Sequence, residues 1–316
     1  MSSPLPVRNG VNATRVRLPE DGPWDTALDY LLDRWGHVDP DGIRARFDAG
    51  EVSAADGTRL TAATPLSAHT FIWYYRDLPT ETRIPFDVEI LHEDDHLLVA
   101  DKPHFLPTTP GGGYVSESAL VRLRVQTGID DLTPVHRLDR MTAGVVLFAK
   151  DPATRGRYHV LFERRQVRKE YEALAGVRDD LDLPVTVRSR IEKSRSYLLA
   201  REVPGPPNAE TVVDLAEILD SPLLDVDAPA GGPTGGAGER VGRYRLHPHT
   251  GKTHQLRVHM ASLGLGIRGD RYYPVLQDEA PDDHARPLCL LARSIAFTDP
   301  ITGREVTWSS RRTLTP

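Results

Sequence analysis

Residues 137–149 read RLDRMTAGVVLFA, so one carboxylate, Asp139, sits between Arg137 and Arg140 just ahead of an apolar run. The run is short and bounded by Gly144 and by Asp151-Pro152, which marks a buried strand. The charges therefore stand at the mouth of a buried strand. Arg137 and Asp139, two residues apart, share a face if the segment is extended. Two readings fit. One is an ordinary ion pair at a strand entrance. The other is a nucleophile: a carboxylate beside guanidinium groups keeps its charge, and a positioned carboxylate can attack an electrophilic carbon.

The rest of the chain supplies a scaffold. Residues 1–24 are rich in Pro, Ser, Asn and Gly and are expected to form a flexible tail. Asp25 is a plausible N-cap for a helix with Leu28, Leu31, Leu32 and Trp35 on one face. Pro40-Asp41-Gly42 breaks it, and a second helix carries Ile43 and Phe47. VSAADGTRLTA carries an Asp-Gly hairpin signal, and TFIWYY reads as a strand. These elements make a small module over 25–80, followed by a linker at 81–85 within RDLPTETRIP. In 86–316, VEILHEDDHLLVADKP reads as two strands around an acidic turn. Pro152 is placed to open a helix through Tyr158, Leu161 and Phe162. RKEYEALAGV alternates with period two, ETVVDLAEIL and GRYRLHP are further strands, and THQLRVHMASLG is a helix stopped by Gly264. The Gly/Pro/Ala tract at 228–239 is expected to be a flexible loop. Strands interleaved with a few helices define an α+β class, a mixed sheet with flanking helices.

Net charge is −6, yet Arg137–Arg201 carries a net of +6, Arg240–Tyr273 another +6, and the remainder −18. Binding follows the local field, and two basic segments on an acidic chain suit a polyanion in one cleft. The single cysteine, Cys289, excludes a disulfide framework and fits a reducing compartment. With no N-terminal apolar segment and no run of membrane-spanning length, a soluble cytoplasmic protein without membrane contact is expected. GKT at 251–253 lacks the earlier glycine of a phosphate loop, since position 246 is leucine. His247, His249, His254 and His259 lack the spacing of a helical zinc pair, so no metal is expected. PGGGY at 110–114 lacks dinucleotide spacing and reads as a surface loop.

HRLDRMTAG resembles the central motif of the RluA-type pseudouridine synthases, written HRLD-R-x-T-S/A-G. Two more motifs follow in order. RKEYEALAG resembles the family strand with its Lys-x-Tyr, here Lys169 and Tyr171. TGKTHQLRVHMASLGLGIRGDRYY resembles the third motif, and LLVADKPHFLPTTP the opening strand and turn. The likeness spans roughly 86–310. Ala143, Lys252 and Gly266 replace commoner serine, arginine and proline, and none of these removes a reacting group. Residues 25–80 resemble, less closely, the small alpha-L RNA-binding domain. Its usual basic face is thin here, with sixteen acids against seven bases over 25–110.

The resemblance implies a mostly antiparallel pseudouridine synthase fold. It also implies isomerisation of uridine to pseudouridine in ribosomal or transfer RNA, by a monomer without cofactor or metal. The target base must be flipped out of the stack. By the same resemblance Asp139 is the nucleophile, attacking either ribose carbon 1′ or uracil carbon 6, and Arg137 holds the flipped conformation. Arg257 pairs with Asp139. Tyr171 lies against the uracil and takes the carbon 5 proton. Arg140, Lys169, His136 and Thr142 contact the substrate. An inactive RNA-folding factor on the same scaffold is the alternative, disfavoured because nucleophile, arginine and tyrosine are all present. A glycosidase would want two carboxylates across a cleft.

Overall fold

The computed structural model describes residues 3–194, 198–222 and 240–315. The tract at 228–239 lies outside them. The chain divides into two compact units. The first holds Met1–Thr82, Gly112–Ser116 and Val121–Asp130; the second holds Arg83–Gly111, Glu117–Leu120 and Asp131–Pro316.

In the first unit, β1 (Thr14–Arg17) precedes α1 (Ala27–Trp35) and α2 (Pro40–Asp48), and then come β2 (Ser53–Ala54) and β3 (Phe71–Tyr74). The three strands form a sheet in the order β1-β3-β2. The first 24 residues are thus not simply a tail, because Thr14–Arg17 pair antiparallel with Phe71–Tyr74. The cap of α1 is Thr26 rather than Asp25. Its hydroxyl accepts from the Asp29 amide at 3.1 Å while the Asp29 carboxylate accepts from the Thr26 amide, a capping box. Asp39 caps α2 by accepting from the Gly42 amide at 2.9 Å, with Pro40 at the first helical position. Leu31, Ile43, Phe47 and Ile72 meet in the core of this unit.

The second unit is built on one large sheet. Its strands begin with β4 (Glu89–Glu93) and β5 (Leu97–Lys102). After α3 (Ala119–Thr127), most of which belongs to the first unit, come β6 (Thr133–Pro134), β7 (Ala143–Ala149), α4 (Arg155–Glu163) and β8 (Arg168–Gly176). There follow β9 (Val185–Glu192), β10 (Arg201–Val203), β11 (Ala209–Pro222), β12 (Arg240–Pro248), α5 (Gln255–Ser262), β13 (Leu290–Thr298) and β14 (Glu305–Ser309). The order is β10-β9-β11-β12-β8-β13-β7-β5-β4, with β14 on β13 and β6 on β7. All neighbours are antiparallel except β13 and β7. The fold is α+β with a mostly antiparallel sheet. Pro152 lies in the turn before α4, which starts three residues later than the sequence suggests.

Every residue of β5 and β7 is buried, which explains why VVLFA reads as a continuous apolar run. Gly144 makes the parallel contact possible. Its φ is +115°, and a Cβ there would lie 2.2 Å from the Ala292 carbonyl oxygen. Leu256 and Met260 of α5 pack into a core with Leu174, Leu246 and Leu290. Tyr158 and Leu161 of α4 pack with Leu147 and Phe297. These two packings fix the segments that carry the site.

Candidate active site

Asp139 lies on the loop between β6 and β7. Four consecutive carbonyls of that loop are each given a donor, as buried backbone requires. The Thr108 hydroxyl donates to Leu138 O at 2.8 Å and accepts from the Leu138 amide at 3.0 Å. The Thr142 amide donates to Asp139 O at 3.1 Å. Lys102 Nζ donates to Arg140 O at 3.3 Å, as well as to Pro103 O and Leu106 O at 2.9 and 2.7 Å. His104 Nδ1 contacts Met141 O at 2.7 Å. The end of β5 and the stretch following it thus hold the loop. Lys102 is fully buried, and burial pushes its pKa down to about 7, opposed by the Asp139 charge.

Asp139 opens onto a cavity of about 470 Å³, within the range of small-ligand sites. Among the described residues, Arg137, Arg165, Lys169, Lys252 and Arg257 line it, against two carboxylates, Asp139 and Glu163. Arg137 is exposed. Tyr171 and Lys169, two residues apart on β8, reach the cavity from one side. Burial, then the Asp139 charge, raises the Tyr171 phenol well above the usual tyrosine value, so it stays protonated at neutral pH. Lys169 Nζ lies 3.4 Å from Thr250 O, and burial lowers its pKa. Thr142 is buried at the cavity wall. His136 lines the wall too, but its Nε2 accepts from the Leu147 amide at 3.2 Å and its ring stacks on Phe162. Burial pushes it down to about 3, so it is a neutral structural acceptor as well as a lining group.

Two expected roles are corrected. Arg140 does not face the cavity. Its fork closes on Asp282, with Nη1 to Oδ2 at 2.6 Å and Nη2 to Oδ1 at 2.9 Å. Arg257 lines the cavity, but its direct partner is Asp270 rather than Asp139. Nε and Nη2 reach the two Asp270 oxygens at 2.8 and 2.5 Å, with both side chains buried. Asp270 also accepts from the Tyr272 and Tyr273 amides, and the guanidinium lies over both tyrosine rings. Asp270 competes successfully because it is buried beside Arg257, whereas the Asp139 side chain remains 35% exposed.

Sequence reasoning missed Lys102, Asp270, Gln255 and His254. Gln255 Oε1 accepts from the Thr250 hydroxyl at 2.7 Å and the Lys252 amide at 3.0 Å, shaping the loop that forms one rim. His254 brings Nε2 to 3.9 Å from Asp139 Oδ2. Among the described residues no group of three His, Cys, Asp or Glu side chains is placed to hold a metal. No helix among them is long and apolar enough to cross a membrane.

Residues 96–262 match the model of the RNA pseudouridylate synthase family, a span that includes Asp139, Tyr171 and Arg257. The dual-specificity RNA pseudouridine synthase RluA of Escherichia coli K12 is 31% identical over 231 residues, 70% of this chain and 91% of that protein. An uncharacterized RNA pseudouridine synthase of Synechocystis sp. PCC 6803 is 28% identical over 246 residues, 78% of each chain. The solved structure of human RNA pseudouridylate synthase domain containing 1 shares the fold, with a TM-score of 0.53 and 22% identity over 75% of this chain and 86% of that one. The chain belongs to the RNA pseudouridylate synthase family and is of the RluA type. It is an RNA-modifying isomerase.

Proposed function

We propose that Asp139 is the nucleophile that isomerises uridine to pseudouridine in structured ribosomal or transfer RNA, acting on a nucleotide flipped into the cavity. The observation that carries this reading is the pinned loop. Four consecutive carbonyls are tied down while the one carboxylate at its tip faces a cationic cavity. A nucleophile held in this way loses little entropy on reaching attack geometry. Arg137, exposed at the rim, fills the gap left by the flipped base in this reading. Tyr171 presents its ring and its phenolic hydrogen to the uracil. Arg257, fixed by Asp270, contributes positive charge near Asp139, and Lys169 at the cavity wall contacts the sugar or phosphate in this reading.

Arg137, Arg165 and Lys252 are the cations available to the RNA backbone. Such contacts position RNA without reading its sequence and weaken as salt rises. Mapping pseudouridine across total RNA, in cells with and without the gene, tests the target. Loss of particular ribosomal or transfer RNA sites supports the proposal. An unchanged map in both RNA classes contradicts it.

A further inference from the structure

His254 stands just ahead of α5 in the left-handed backbone region, with φ 55° and ψ 18°. Such a conformation costs a non-glycine residue of order 1 kcal/mol and persists where the surroundings impose it. Here the surroundings orient the ring. The Tyr273 hydroxyl donates its hydrogen to Ala200 O at 2.8 Å. At 2.9 Å from His254 Nδ1 it can then only accept, so Nδ1 carries the ring hydrogen. The neutral imidazole therefore presents a bare Nε2 to Asp139 Oδ2, 3.9 Å away. That gap is too long for a direct hydrogen bond, and an atom seated beside the pair can contact both groups at once.

The charges around the ring come from every neighbouring segment. Burial has the largest effect and lowers the histidine pKa. Asp139 from the loop raises it, Arg257 of α5 lowers it, Asp270 raises it, and Lys193 beyond β9 lowers it. The Tyr272 ring lies 5.9 Å away. The net direction is below the ordinary histidine value, so the ring is neutral at pH 7. Tyr171, which also lines the cavity, is held protonated, which makes it a donor rather than a proton acceptor.

We propose that His254 is a catalytic residue whose Nε2 takes the proton from carbon 5 of the uracil after it has rejoined the ribose. This rests on the reading of Asp139 as the reacting carboxylate. When carbon 5 bonds to ribose carbon 1′, it carries both the sugar and a hydrogen, and N1 is doubly bonded to carbon 6. The carbon 5–hydrogen bond breaks and its electron pair restores the carbon 5–carbon 6 double bond. The N1–carbon 6 π pair moves onto N1, and the proton forms an N–H bond with Nε2. The imidazolium then delivers that proton to N1, so none is gained or lost overall. Where Asp139 has attacked carbon 1′, the new carbon 5–carbon 1′ bond displaces it, and the freed carboxylate faces the imidazolium and stabilises it.

The test uses His254→Asn, because asparagine tolerates the left-handed backbone. RNA carrying protium or deuterium at carbon 5 of the target uridine is converted under single-turnover conditions. Removing a general base should slow conversion by about 100-fold, with RNA affinity within about threefold of wild type. A carbon 5 deuterium effect of about threefold should appear in His254→Asn and be absent from wild type, because proton removal has become the slow step. The acid limb of the wild-type rate profile, below the ordinary histidine value, should vanish with the imidazole. Wild-type speed in the variant, or a slow reaction with no isotope effect, overturns the proposal. An isotope effect appearing in Tyr171→Phe instead would transfer the role to Tyr171. Turnover by Asp139→Asn is a separate outcome, which contradicts the nucleophile reading and not this one.

Discussion

Lys102 Nζ donates to the carbonyl of Arg140, the residue that follows Asp139, from a position with no solvent exposure. Three carbonyl acceptors call for three N–H bonds, which the ammonium form supplies below about 7, and the neutral amine above it gives up one of the three. Burial sets the folded pKa at about 7 against an ordinary value of 10.5. Between those values the unfolded chain holds a proton that the folded chain has lost. Unfolding then takes up a proton, so stability rises with pH across this window and the full penalty is present below about 7. In Lys102→Met the slope disappears. Denaturant unfolding from pH 7 to 10 should show a wild-type-minus-variant difference growing by about 1 kcal/mol per pH unit. Parallel curves would mean that Lys102 titrates at its ordinary value.

Thr108 ties both backbone groups of Leu138 and is itself buried. Thr108→Val keeps the shape and removes the hydroxyl, leaving a buried amide and a buried carbonyl without that partner. The variant should lose about 2 kcal/mol of stability. Its single-turnover rate should fall by about 100-fold if the carboxylate shifts by an ångström. A melting curve and a rapid-quench time course measure both. An unchanged rate would show that the loop is held without Thr108.

Arg257 and Asp270 form a buried pair, so removing either partner strands a charge. Arg257→Ala should cost about 3–5 kcal/mol. Arg257→Lys keeps the charge but not the planar fork, and should fall between wild type and Ala. In the double variant with Asp270→Ala, part of the loss should be recovered, giving a coupling energy of about 2 kcal/mol in a double-mutant cycle. Additive losses would mean that the pair is not the unit that matters.

Gly144→Ala places a methyl 2.2 Å from the Ala292 carbonyl oxygen at a φ that side chains avoid. The parallel contact of β7 with β13 cannot open without disturbing β8 as well. A loss of about 3 kcal/mol or more is expected, read as a lower melting temperature or insoluble protein. A melting temperature within 2 °C or so of wild type would contradict the close approach.

Strands buried on both faces, such as 144–149, were legible because burial alone decides their pattern, whereas β8 was legible from its period-two residues although Ala173, Leu174 and Ala175 are all buried. β13 was not. LLARSIAFT is interrupted by Arg293, which is tolerated because Glu172 on the neighbouring β8 accepts from it at 2.6 and 2.9 Å. Such compensation lies across strands 121 residues apart and leaves no local signal. The motif residues Asp139, Arg137, Lys169 and Tyr171 do share one cavity. Their partners could not be read. Asp270 lies in a turn beyond α5, Asp282 is 142 residues from Arg140, and Lys102 looked like part of a strand end. A chain reading places charged groups near one another by motif, but only packing decides which acid an arginine meets.

The reading of the whole site stands on Asp139. Asp139→Asn is nearly isosteric and replaces the carboxylate with a much poorer nucleophile. The direct measurement is tritium release from RNA labelled at carbon 5 of uridine, alongside RNA affinity and the melting curve of the same variant. No release above background is expected, with affinity and melting temperature close to wild type. Tritium release at a near-wild-type rate from Asp139→Asn would contradict the nucleophile reading.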